Sequence, residues 1–187
     1  MKSFGLLFGL LALLVMLPSC DKDDEDPFDL DPGSFTLIIS GDYEASFDGS
    51  AIFNEVTDPD TGDKGFAIYL VSHGGDNSSL VMAAGGGRPG QGTYDIVRLD
   101  DEDLDDPEEI VIDPGKFVAW FREDPAAAMK LFLSESGSVT IYESATTGIT
   151  GGFEFAAKGI DTSDPETMLN VVISGEFFAM GGGFDQF

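Results

Sequence analysis

The sequence predicts an all-β fold, an antiparallel β-sandwich or barrel of roughly ten short strands after an N-terminal signal helix. Three observations lead there. Apolar and polar residues alternate with period two: "DYEASFDG" sets Tyr43, Ala45 and Phe47 against Glu44, Ser46 and Asp48. "GSVTIYES" sets Val139 and Ile141 against Ser138, Thr140 and Tyr142, and "GFEFAAKG" sets Phe153, Phe155 and Ala157 against Glu154, Ala156 and Lys158. That period marks half-buried strands with one wet face. Next, clusters of Gly, Pro, Asn and Asp separate the apolar runs, as tight turns require. Last, no long 3.6-residue period follows the first segment, and "DPAAAMKLF" is good for one helical turn at most.

The chain divides into three parts. Residues 1–19 open with Met1 and Lys2 and continue as an almost unbroken apolar run from Phe4 to Leu17. That run is shorter than the roughly 20 residues that span a bilayer comfortably, which is the shape of a signal peptide. It ends in Leu17-Pro18-Ser19-Cys20, which resembles the lipobox of bacterial lipoproteins. The resemblance implies cleavage before Cys20 and attachment of a diacylglyceryl group to its thiol. Each buried acyl CH₂ contributes about 0.8 kcal/mol, so two or more chains hold a protein on a bilayer durably. Cys20 is the only cysteine, which rules out an intramolecular disulfide and a thiolate metal cluster. The competing reading is a free thiol beside an uncleaved anchor.

Residues 20–33 form an acidic tether without apolar periodicity, able to reach roughly 50 Å when extended. A charge run after an anchor is usually a solvated spacer. Lys22, Asp23 and Asp24 directly after the Cys nevertheless resemble the lipoprotein export tag of Bacteroidetes-type bacteria, which implies the outer face of the outer membrane. The enterobacterial rule, Asp after Cys as a retention signal, implies the periplasmic side of the envelope instead.

The chain holds 35 acidic and 9 basic residues, a formal charge of −26, and loss of Lys2 with the signal makes the mature chain one unit more negative. Such a chain is unsuited to nucleic acid, whose phosphates reward Lys and Arg. Anionic headgroups would repel it, leaving the lipid to do the anchoring. Asp outnumbers Glu 23 to 12, a bias that suggests a salt-rich habitat.

Residues 34–187 read as a single all-β domain, long enough to bury a core of its own. In order, the strand candidates are "SFTLIISG", "DYEASFDG", "FAIYLVS", "SLVMAAG", "TYDIVRL", "KFVAWFR", "MKLFLSE", "GSVTIYES", "GFEFAAKG" and "NVVISGEFF". Glycines inside them, as at Gly151-Gly152 and Gly175, suit bulges and sharp bends. "SFTLIISGDYEASFDGSAIF", "GQGTYDI", "SESGSVTI", "ITGGFEFAAKG" and "VVISGEFFAM", in that order, resemble an uncharacterised Bacteroidetes-type lipoprotein family. The resemblance covers nearly the whole mature domain, implies an all-β fold, and offers no activity to carry over.

Candidate chemistry is sparse. Asp58, Asp60 and Asp63 in "DPDTGDKG" present hard oxygen ligands at spacing that calcium favours, but the EF-hand pattern fails at its fifth, sixth and twelfth positions. A hairpin loop turned by Pro59 and Gly62 is the simpler account. "LDDEDLDDPEE", Leu99 to Glu109, packs eight acids into eleven residues and reads as a solvated loop or a weak cation collector. The one histidine, His73, stands near Ser72, Asp76 and Ser78, yet adjacent strand residues point apart and no nucleophile-elbow pattern surrounds any serine. No cofactor other than calcium suggests itself.

In "KFVAWFRE", Phe117, Ala119 and Phe121 share one face while Val118 and Trp120 share the other, so both want shelter. Trp120 belongs either to a core or to an aromatic ligand site with Tyr69 and Tyr142. The expectation is therefore a lipid-anchored outer-membrane or cell-surface domain with a non-enzymatic binding, adhesion or structural role, its partners the membrane and a surface glycan or envelope protein. The alternative is a small-ligand or glycan site around Trp120. A hydrolase using two carboxylates that pair only in space is a third reading.

Overall fold

The computed structural model describes residues 30–57, 62–74, 77–99, 112–123, 129–161 and 164–182. Cys20, Lys22, Asp23 and Asp24, with the signal segment, lie outside the described residues, as do Asp58, Asp60, Asp76 and residues 100–111.

Nine strands form one sheet: β1 (Ser34–Gly41), β2 (Ala45–Thr57), β3 (Lys64–Ser72), β4 (Ser79–Gly85), β5 (Gly92–Ile96), β6 (Lys116–Glu123), β7 (Lys130–Ser144), β8 (Gly148–Asp161) and β9 (Asp164–Gly181). The sheet closes into a barrel in the order β1-β2-β3-β4-β6-β5-β7-β8-β9. Of the two architectures the alternation allowed, the barrel is the one formed.

The count is nine and not ten because two of the ten candidates run on as one strand, β7. "DYEASFDG" and the following "SAIFNEV" share β2, and "MKLFLSE" and "GSVTIYES" share β7. Gly49 and Gly137 sit at those junctions and break neither strand. Of "DPAAAMKLF", residues 124–128 lie outside the described residues, and from Lys130 the chain is extended as β7.

The interior is filled with side chains. Phe35, Phe117, Phe121, Phe132, Phe155 and Phe177 are the largest fully buried groups, joined by Leu37, Ile39, Ile68, Leu70, Leu80 and Met82. Every strand contributes to this core. The outward rows carry Thr36, Asp48, Thr140, Glu154, Lys158 and Glu176. The same wall also exposes Ile38, Val71, Met168 and Val172, so the outward rows are mixed in polarity.

Two strands act as wedges. At the end where β2 finishes, Ile52 and Phe53 pair with Met180 and Gly181 of β9 directly, because β1 has not yet begun. At the same end β5 is inserted, with Ile96 beside both Phe117 of β6 and Gly137 of β7. At the opposite end β6 and β7 pair directly, from Trp120–Leu133 to Glu123–Lys130, and β1 is present. One strand enters where the other leaves, so each end closes with eight strands.

Ser134 occupies the fork where β5 meets β6 and β7. Fully buried, it accepts a hydrogen bond from Ala119 N at 3.1 Å and donates one to Val97 O at 2.7 Å. It thereby pairs two backbone groups that the splaying strands would otherwise leave unmet.

Candidate functional site on the outer wall

A filled barrel leaves its outer wall and its rims for chemistry. A depression of about 520 Å³ lies on the outer face of β7, β8, β9 and β1. Two cross-strand rows build it. Thr140 lies opposite Gly152, then Glu176, then Thr36. Ser138 lies opposite Glu154, then Ser174, then Ile38. Asp95 of β5 continues the second row and Asp48 of β2 the first.

Tyr142 overhangs this groove. It is the unpaired residue of a β-bulge, since Ile141 pairs with Gly151 and Glu143 with Thr150. A bulge bends its strand and re-aims a side chain. Here the phenol lies across Gly152, where a Cβ would come within 2.9 Å of the Tyr142 hydroxyl oxygen. The groove is thus a product of one extra residue in β7 and one missing side chain in β8. Tyr142 keeps 41% of its surface exposed, and Ile38 at the far side keeps 59%.

The three aromatic residues singled out from sequence do not form one site. Tyr69, Val81, Trp120 and Leu133 are successive partners across β3, β4, β6 and β7, so Tyr69 and Trp120 flank Val81 on the outer wall. Tyr142 stands nine residues along β7 from Leu133, about 30 Å at the rise of a strand. Trp120 is partly buried on the outer wall and belongs to neither the central core nor the Tyr142 groove.

Beyond Leu133 the wall turns apolar and basic-rimmed. Leu99, Leu131, Leu133, Ile160 and Met168 line a second depression of about 330 Å³ with Arg98, Glu135 and Lys158 at its edge. Glu135, the unpaired residue of the other β7 bulge, lies 4.0 Å from Arg98 and 3.5 Å from Lys158. Leu99, read from sequence as the start of the acidic loop, is 3% exposed, and its amide donates to Ser134 O.

A charged cluster that the sequence reading missed plugs the barrel where β6 ends. Tyr43 donates a 2.6 Å hydrogen bond to Glu123, and the Lys130 ammonium stands 3.6 Å from Glu123 and 3.8 Å from Asp161. The same ammonium lies 4.8 Å from the Tyr43 ring centre, and that ring stacks on Phe132. The period-two rows carry the signal: Glu123 continues the inward row of Phe117, Ala119 and Phe121, and Lys130 precedes Phe132 on the inward row of β7. The two carboxylates hold a shared lysine between them and do not face each other across an open cleft.

His73 is an exposed turn residue after β3, and its Nε2 lies 2.7 Å from Ser50 Oγ. Its serine is thus neither of the two the sequence placed nearby. Ser72 Oγ accepts from the Gly74 amide at 3.0 Å, while Ser78 is buried and its hydroxyl is without a hydrogen-bond partner among the described residues. Among the described residues no carboxylate is hydrogen-bonded to His73, and Asp76, the acid named for a triad, lies outside them.

Asp63 is the one described member of the proposed calcium set, and it is exposed. No cluster of three or more His, Cys, Asp or Glu side chains suited to a metal occurs among the described residues. At the start of β6, the Lys116 ammonium bonds Asp113 at 2.8 Å and holds that carboxyl below the usual carboxylate range. No protein-family model, curated protein or solved structure matches the chain.

Proposed function

We propose that this chain is a lipid-anchored binding domain without enzymatic activity, tethered through Cys20 to the outer membrane and displayed at the cell surface. The observation that carries the binding role is the filled barrel: with the interior occupied by phenylalanines and aliphatic side chains from all nine strands, recognition falls to the outer wall. The address rests on the lipobox-like Leu17-Pro18-Ser19-Cys20 and on the Lys22-Asp23-Asp24 tag. The resemblance to Bacteroidetes-type lipoproteins supports the same reading. An acidic tether of residues 20–33 would lift the barrel off the bilayer and keep it clear of anionic headgroups.

Protease shaving of intact cells, followed with an antibody against the barrel, tests the address. Loss of the domain supports surface display, and its survival points to the periplasmic face. Cys20→Ala should move the protein from the membrane to the soluble fraction; unchanged fractionation would sink the lipid anchor. Replacing Lys22, Asp23 and Asp24 by Ala should protect the barrel from shaving if they carry the address. A second reading, a site for a small ligand or glycan, is favoured by the groove beside Tyr142 and not by the surroundings of Trp120.

A further inference from the structure

We infer that the groove on β7, β8, β9 and β1 binds a glycan of non-acidic pyranose sugars, stacked on Tyr142. The inference rests on the binding role proposed above and names the ligand class of its outer wall. Three features converge at one place. Tyr142 offers a half-exposed aromatic face, placed there by the bulge between Ile141 and Glu143. The C–H faces of a pyranose ring match such a platform, being flat, apolar and slightly positive where the π face is negative.

Hydrogen-bonding groups fill the floor and sides. Glu154 stands two residues from Gly152 along β8, Glu176 lies opposite Gly152 on β9, and Thr140 and Ser174 stand in the same two rows. Carboxylates accept strongly from hydroxyl groups, and hydroxyl side chains both give and accept. A sugar offers several hydroxyl donors at close spacing, so it satisfies the pair of acids without needing a charge. A free sugar amine would gain further from them, whereas a uronic or sialic acid would be repelled. The absence of a side chain at Gly152 lets the phenol lie down on β8, and the exposed part of its ring is the platform on which a sugar stacks. The depression of about 520 Å³ is in the range of small-ligand sites and has room for one or two sugar rings.

The test uses the full chain purified in a non-glycosidic detergent, so no detergent sugar competes for the groove. Cellotetraose, the glucosamine tetramer and tetragalacturonate are titrated by calorimetry, against the unaltered chain and against Tyr142→Ala, Glu154→Gln and Trp120→Ala. The expected result is binding of one or both non-acidic tetramers and none of tetragalacturonate. Tyr142→Ala should weaken that binding about tenfold, the scale of one lost stacking contact. Glu154→Gln should weaken the glucosamine tetramer more than cellotetraose, and Trp120→Ala should change neither. Circular dichroism of each variant confirms that the barrel is retained.

Failure of both non-acidic tetramers to bind at 10 mM, on the order of the weakest useful affinity, overturns the inference. So does binding that is indifferent to Tyr142→Ala or lost with Trp120→Ala. These titrations are blind to cellular address, so their failure leaves the shaving result standing, and a failed shaving result leaves them standing.

Discussion

At the scale of single residues, phenylalanine and glycine carry the architecture. Phe132 is fully buried, its ring 5.9 Å from that of Tyr43 and 6.2 Å from that of Phe121. Phe132→Ala should cost about 3–5 kcal/mol in urea unfolding, through lost transfer energy and a residual cavity. Gly137 is the opposite case, where any added atom is too much. A Cβ there would lie 2.3 Å from Phe155 Cβ and 2.3 Å from Glu154 O, so β7 and β8 would have to part. Gly137→Ala should lose about 1–3 kcal/mol or more, measured the same way. Ser78 is 1% exposed with its hydroxyl unpartnered among the described residues, so Ser78→Ala should be neutral or stabilising by up to about 1 kcal/mol. A clear loss of stability in that variant would show that the hydroxyl has a partner outside the described residues.

At the scale of elements, the two wedges decide how the sheet closes. β5 is five residues long and is joined to β6 over only two paired positions, so it depends on the Ser134 fork for its place. Ser134→Ala would leave the Ala119 amide and the Val97 carbonyl buried without their partner. The expected cost is about 2 kcal/mol, with hydrogen exchange quickened at Val97 and Leu99 more than in β8 or β9. Uniform quickening throughout the barrel would mean that the fork is not a local lock. The strands themselves were legible in the sequence, because alternation is a property of neighbours along the chain. Their fusion into long β2 and β7 was not, since a glycine reads equally as a turn or as a point of close strand approach.

At the scale of the whole molecule, charge dominates. A formal −26 on 187 residues makes every compact state repel itself. Raising sodium chloride from about 10 mM to 1 M shrinks the Debye length from about 30 Å to about 3 Å, and the midpoint of thermal unfolding should rise accordingly. A midpoint indifferent to salt would count against a salt-rich habitat. The Tyr43–Glu123–Lys130–Asp161 cluster should resist this screening better than the exposed pairs, because its side chains are only 11% to 25% exposed at Glu123, Lys130 and Asp161.

The candidate site was only half legible. Tyr142 was visible as an aromatic residue on a wet face, but its bulge depends on how β7 registers with β8, and the groove also needs β9 and β1. Trp120 drew attention as an outward residue of a strand apolar on both faces, and it lies elsewhere on the wall. Glu123 and Lys130 stood in plain alternation at strand ends, yet their meeting with Tyr43 and Asp161 joins positions far apart in the chain.

By itself the sequence determined the all-β class, the inward and outward faces of the strands, and the charge, because each is local or additive. Only the tertiary structure decided barrel over sandwich, the wedging of β1 and β5, and the company each outward side chain keeps. Those follow from register between distant strands, and register is set by how the whole core packs.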